Sequence, residues 1–235
     1  MRTKLASGAL LLTAGLALMP SLAHAQTPSN VLLFPAVVNG DRNDSTKLVE
    51  DDVTEALRNQ LTKLGIAAVV YNKRIPSVQR AINESDKIIS DKDADSGPGD
   101  DNRKAKRFAE VVGASEYLTV FVDDYSFDAA SRTAKFNLSM TRYNTESGQA
   151  LGTFAKMQQG IAPADVAKGR QQASALARAA VTGGQQAASS LYPQAAVIAS
   201  NVKNNTKSKG KTRSGDKNVV TIFGALLGVL YFSTR

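Results

Sequence analysis

Carboxylates are the residues of this chain best placed to do chemistry, because most other reactive side chains are missing. The 235 residues include no Cys, no Trp and a single histidine, His24. Asp91, Asp93 and Asp95 fall at alternate positions of an acidic stretch, Asp91–Asp101, punctuated by Gly97, Pro98 and Gly99. Hard oxygen ligands with that rhythm can wrap one calcium ion. The pattern then breaks, since Ser96 stands where the turn wants glycine and Asn102 where a bidentate glutamate belongs. The stretch therefore reads as a solvated acidic loop. Asp91, Asp93 and Asp95 are the one calcium candidate, and no metal or cofactor is assigned.

Asp123, Asp124 and Asp128 form a second cluster. Two carboxylates on one face can serve as acid and base in glycoside chemistry. Adjacent strand residues point to opposite faces, so Asp123 and Asp124 do not pair and only Asp124 and Asp128 can share a face. Strand-end solubility and protection of a sheet edge account for them without catalysis.

The histidine itself belongs to a leader. Arg2 and Lys4 precede an apolar run, Ala6 to Met19; Pro20 breaks it, and Ala23-His24-Ala25 supplies small residues for cleavage before Gln26. Residues 1–25 are read as a secretory signal peptide, because the run is shorter than the ~20 residues of a membrane span. The mature chain then has no His, Cys or Trp. Disulfides, thiol nucleophiles, His-assisted serine chemistry and His- or Cys-bound zinc are excluded. The expected compartment is the periplasm or cell envelope.

Charge is distributed unevenly. The formal +8 suggests an acidic polymer as partner, but residues 26–200 contain 20 Lys/Arg and 20 Asp/Glu. The domain is neutral, and the excess sits in a tail at 201–218: Lys203, Lys207, Lys209, Lys211, Arg213 and Lys217 against Asp216. No aromatic interleaves with these charges, so nucleic acid is not an expected partner.

These side chains need elements to position them. Val31–Val38 is an apolar run suited to a buried strand, with Pro35 signalling an edge or a bulge. Val49, Val53, Leu57, Leu61 and Leu64 recur at helical spacing, Gly65 ends the helix, and 66–71 reads as the next strand. Ile75 to Ile82 suggests a short helix, with an extension toward Ile89, and Ala105, Phe108, Ala109 and Val112 give another. Tyr117–Phe127 alternates, with Leu118, Val120 and Val122 on one face and Tyr117, Phe121, Tyr125 and Phe127 on the other. Turns at 129–132 and 145–148 make 117–161 an antiparallel meander. Residues 163–192 form a long Ala-rich helix with a break at Gly183-Gly184. The fold class is α+β: a mixed sheet in β-α-β-α-α-β-β-β order, covered by helices, in one domain at 26–200.

The end of the chain, 219–235, is apolar. Its stretch from Val219 to Phe232 is too short as a helix, at ~21 Å, for the ~30 Å hydrocarbon core. Interfacial contact is the reading taken. Lys203, Lys207, Lys209, Lys211, Arg213 and Lys217 would meet anionic headgroups, while Ile222, Phe223, Leu226, Leu227, Leu230 and Phe232 enter the lipid boundary.

The motif order resembles the N-terminal α+β domain of TolB and the CsgG-like family of bacterial envelope proteins. The matching pieces are Val31–Val38 with Phe34-Pro35, the helix ending at Leu64-Gly65, Ala109–Val122, and the hairpin Arg142–Leu151. The resemblance covers about residues 30–162. It implies an assembly or binding module in the envelope, with no catalytic residues. Pore formation is not carried over, because the lipid-anchoring cysteine is absent. The expected function is a non-enzymatic envelope protein that binds a protein or cell-wall partner at a membrane surface. A subunit of a homo-oligomeric, curli-like secretion or envelope assembly is the alternative, and a carboxylate- or cation-dependent enzyme is the second.

Overall fold

The computed structural model describes residues 30–39, 44–84 and 88–209, with side chains through Asn201. The signal segment and everything after Lys209 lie outside the described residues. The fold is α+β: a six-stranded mixed sheet with helices packed on it.

The opening apolar run is two strands, β1 (Val31–Leu33) and β2 (Val37–Val38). Leu33 aligns with Leu118 and Val37 with Phe121, so Phe34-Pro35-Ala36 holds one extra residue, the bulge that Pro35 signalled. The Ala36 N–H freed there donates to Thr54 Oγ1 at 2.9 Å. Helix α1 (Asp44–Lys63) ends in a Schellman turn: Gly65 adopts φ +77°, and the Ile66 N–H reaches back to the Leu61 carbonyl. Next come β3 (Ala68–Val70), α2 (Pro76–Asn83), α3 (Asp91–Ser96) and α4 (Asn102–Val112). The meander is β4 (Glu116–Asp128), β5 (Thr133–Asn144) and β6 (Ala150–Ile161). A 3-10 turn at 168–170 leads into α5 (Gln171–Leu191) and α6 (Pro193–Lys209).

Strand order is β3-β1-β4-β5-β6, with β2 also beside β4. β1 is parallel to both neighbours and the meander is antiparallel. One core lies between α1, α5 and the sheet face carrying Leu33, Leu118, Val120, Phe136, Leu138 and Met140. The other lies between α2–α4 and Leu32, Phe34, Tyr71 and Tyr117.

Four expectations need correction. The acidic stretch begins as helix α3, because Ser90 accepts the Asp93 N–H and caps it. Helix α2 stops at Asn83, where Glu84 turns extended. Helix α5 runs unbroken through Gly183-Gly184, whose missing side chains admit Gln158 and the Ala56 backbone. Finally, the alternation of β4 does not persist to its end. Asp124 takes φ +55° in a bulge between Asp123 and Ser126, which turns Tyr125 and Phe127 to the side of Leu118, Val120 and Val122.

Candidate functional site

The two aspartate groups are dispersed among separate partners. On α3, Asp91 and Asp95 lie one turn apart and hold Lys73 Nζ at 2.9 and 2.8 Å. Asp93 points to the other side, accepting from Lys104 Nζ at 2.7 Å and from Ser90 Oγ. The Lys104 ammonium and the Ser90 hydroxyl hold the Asp93 carboxyl below the usual carboxylate range. A helix thus replaces the loop that would have wrapped a cation, and no metal-holding group of three carboxylates occurs among the described residues. Asp123 accepts from Asn39, Asp124 from Asn137 at 2.8 Å, and Asp128 from Ser131 and the Ala130 N–H. Asp124 and Asp128 are thus each engaged by hydrogen-bond partners of their own. Hydrogen bonds from Ser131 and Ala130 hold the Asp128 carboxyl low.

The sheet is covered unequally. Helices α2–α4 pack over β1, the start of β4 and Tyr143 at the end of β5, and leave the rest of that face of β5 and β6 open among the described residues. The register sets Thr141 and Thr153 on this open face beside the buried Thr119, then aligns Phe121, Ser139 and Ala155, then Asp123, Asn137 and Met157. β6 is the last strand, so no strand among the described residues pairs with its outer edge. Met157 is 65% exposed, and Ile161 and the bulge residue Leu151 are each 50% exposed. The strand's single charge, Lys156, stands exposed near its middle.

Beneath the other face lies a network that sequence reading missed. Arg142 on β5 donates from Nε to Glu116 Oε2 at 2.8 Å and from Nη2 to Glu116 Oε1. Its Nη1 donates to the carbonyl of Leu191, the last residue of α5, at 2.9 Å. The Tyr192 hydroxyl donates to Glu116 Oε2 at 3.1 Å, and burial followed by the Glu116 charge pushes that phenol up. Every group in it has a partner, as a structural joint requires.

A cleft of about 310 Å³ opens beyond the carboxyl ends of β1 and β3, lined by Phe34, Glu50, Tyr71, Lys73, Asp95 and Thr119 among others. Five separate segments build it, so no local motif announced it.

Of the tail residues expected at lipid, Lys203, Lys207 and Lys209 fall on α6 past its last described side chain. Lys211, Arg213, Lys217, Ile222, Phe223, Leu226, Leu227, Leu230 and Phe232 lie outside the described residues. Among those that are described, no helix is long and apolar enough to cross a membrane.

No family model matches the chain, and no curated protein matches it in sequence. Solved structures with a similar fold include the LpoB C-terminal domain from Salmonella enterica, 19% identical, covering 57% of this chain and 85% of that one, with a TM-score of 0.39. The PelC dodecamer from Paraburkholderia phytofirmans is 12% identical over 68% of this chain and 88% of that one, at 0.40. Lipoprotein GNA1162 from Neisseria meningitidis is 11% identical over 56% and 83%, at 0.39. At these values none assigns a function or a partner. They do correct the expected resemblance: neither a TolB N-terminal nor a CsgG-like family is indicated. The residues quoted for it mark turns common to any strand–helix–strand layer, and so do not identify one family.

Proposed function

We propose that this chain is an exported, non-enzymatic envelope protein that binds a partner along the open face and outer edge of β4–β5–β6. The observation that carries this reading is the edge itself: twelve residues of β6 with no described strand on their outer side, flanked by exposed Met157, Ile161 and Leu151. An edge of that length can accept an added strand, with main-chain hydrogen bonds giving affinity and side-chain pockets giving specificity. Lysine in the middle of an edge strand discourages pairing with a second copy, because a two-fold pairing about the strand's centre brings the two lysines close together. The occupant that fits is an extended segment of another envelope protein with a carboxylate facing Lys156. Residues 1–25 direct export, 26–200 fold as the binding domain, and the basic and apolar residues from Lys203 to Phe232 hold it at a lipid surface from outside.

Site-specific photocrosslinking in cells tests this. A photoreactive residue at Met157 or Gln159 of the full-length chain is expected to trap one heterologous protein, and one at exposed Lys63 on α1 is not. Adducts only with a second copy would replace the reading with a homo-oligomer, and adducts from Lys63 alone would refute it. Fractionating full-length protein beside a version lacking 210–235 tests the tether, which fails if both are equally soluble.

A further inference from the structure

The cleft beyond β1 and β3 sits where the sheet's connections diverge. The chain leaves β1 for α1, on one face, and leaves the adjacent β3 for α2, on the other. Strand ends that part in this way leave a crevice outside their carboxyl termini, where open sheets bind ligands. At about 310 Å³ it is at the small end of the range for ligand sites.

Its lining is selective. Phe34 and Tyr71 form an apolar base, ring centroids 5.4 Å apart, and Pro35 and Pro98 contribute apolar walls. Thr119 lines the cleft with only 7% of its surface exposed, and its hydroxyl has no side-chain hydrogen-bond partner among the described residues. That hydroxyl opens onto the cleft and can donate to or accept from a ligand there. Among the described residues the Glu50 carboxylate accepts one hydrogen bond, from the Val38 N–H at 3.2 Å. Lys73 is the only cation in the lining among the described residues, and Asp91 and Asp95 already share it.

That charge pattern decides the ligand class. An anion entering the cleft would meet Glu50 and Asp95, while the one lysine is already held by two carboxylates. A positively charged group meets the opposite situation. We infer that this cleft binds a small organic cation, a primary ammonium on a short apolar body: the ammonium at Glu50 and Asp95, a polar atom at Thr119, and the apolar part on Phe34 and Tyr71. This site is separate from the β6 edge and stands without it.

Calorimetric or NMR titration of the purified chain with L-alanyl-L-alanine amide, its N-acetylated form, putrescine and inorganic phosphate tests the assignment. Saturable binding of the free amine is expected, with the acetylated form and phosphate at least about tenfold weaker, the loss expected when a hydrogen bond to a charged group goes. Putrescine separates charge from shape: binding as tight as the peptide amide's means that the ammonium dominates. Glu50→Gln keeps an acceptor for Val38 and is expected to weaken amine binding by a similar factor with the thermal midpoint unchanged. Lys73→Met is expected to strengthen it. Equal affinity for the acetylated form, preference for phosphate, or no effect of Glu50→Gln in a folded protein would each overturn the inference.

Discussion

The Arg142 guanidinium lies over the ring of Tyr192, its central carbon 4.2 Å from the ring centroid, and both side chains bond the same carboxylate, Glu116. The three residues join the start of β4 and the end of β5 to the point where α5 gives way to α6. Glu116 is 12% exposed and Arg142 23%, so removing one partner strands a charge with little access to water. Arg142→Ala is expected to cost about 3 kcal/mol, and Glu116→Leu with Arg142→Leu less than the sum of the single changes. Urea denaturation of the single and double variants measures both.

Alkali is expected to destabilise the fold between pH 10 and 12. Burial, then the Asp95 charge, pushes the Tyr71 phenol up to about 12, and burial, then Tyr143, does the same for Tyr117. Their hydroxyls donate to the Ala94 carbonyl at 2.9 Å and to Asn102 Oδ1 at 2.8 Å. Because the folded values lie above the usual value near 10, the unfolded chain ionises first. The contribution is complete below pH 10 and disappears as pH rises through the folded values. Thermal midpoints at pH 9 and 11 should diverge, and less so in Tyr117→Phe.

Gly160 on β6 marks the tightest approach of α5 to the sheet. A Cβ there would lie 2.1 Å from the Ala175 carbonyl oxygen and 2.5 Å from the Ala179 nitrogen, both backbone atoms that cannot swing aside. Gly160→Ala should cost at least about 2 kcal/mol. Gly184→Ala, whose Cβ would meet the Ala56 carbonyl oxygen at 3.3 Å, should cost less. Chemical denaturation of the pair checks the ranking.

Asp124 holds the bulge in β4 at φ +55°. Asp124→Gly is expected to be close to neutral, losing the Asn137 hydrogen bond but relieving the backbone. Asp124→Val should cost about 1–2 kcal/mol, because a β-branched residue is poorly accommodated there. Equal stability of the two variants would show that the bulge bears no strain.

The sequence disclosed what has a period. Val49 to Leu64 repeats every three or four residues, and those residues face the core of α1 with Gly65 closing it, as expected. Tyr125 and Phe127 were assigned to the wrong face, because a period-two reading has no way to register one residue turned left-handed at Asp124. Gly183 and Gly184 read as a break because glycine weakens an isolated helix. Their role as a slot for Gln158 and Ala56 depends on elements elsewhere in the chain. The acidic run reads as a solvated loop because its neutralising cations, Lys73 and Lys104, come from other segments. Glu116 bonds partners 26 and 76 residues away, a separation at which a lone sequence carries no pairing signal. The cleft was illegible for the same reason.

The parallel placement of β1 beside β4 also has a consequence in time. Asn30, at the head of β1, bonds Ser115, 85 residues later, whereas β4, β5 and β6 close through tight turns. A chain made from its N-terminus therefore completes Val31–Leu33 long before the strand that will flank it exists. Loop closure over that span is the slower event, so the meander is expected to assemble first and wait. β1, flanked on both sides in the finished sheet, thus joins the meander late, and until then its apolar residues must be kept from neighbouring molecules.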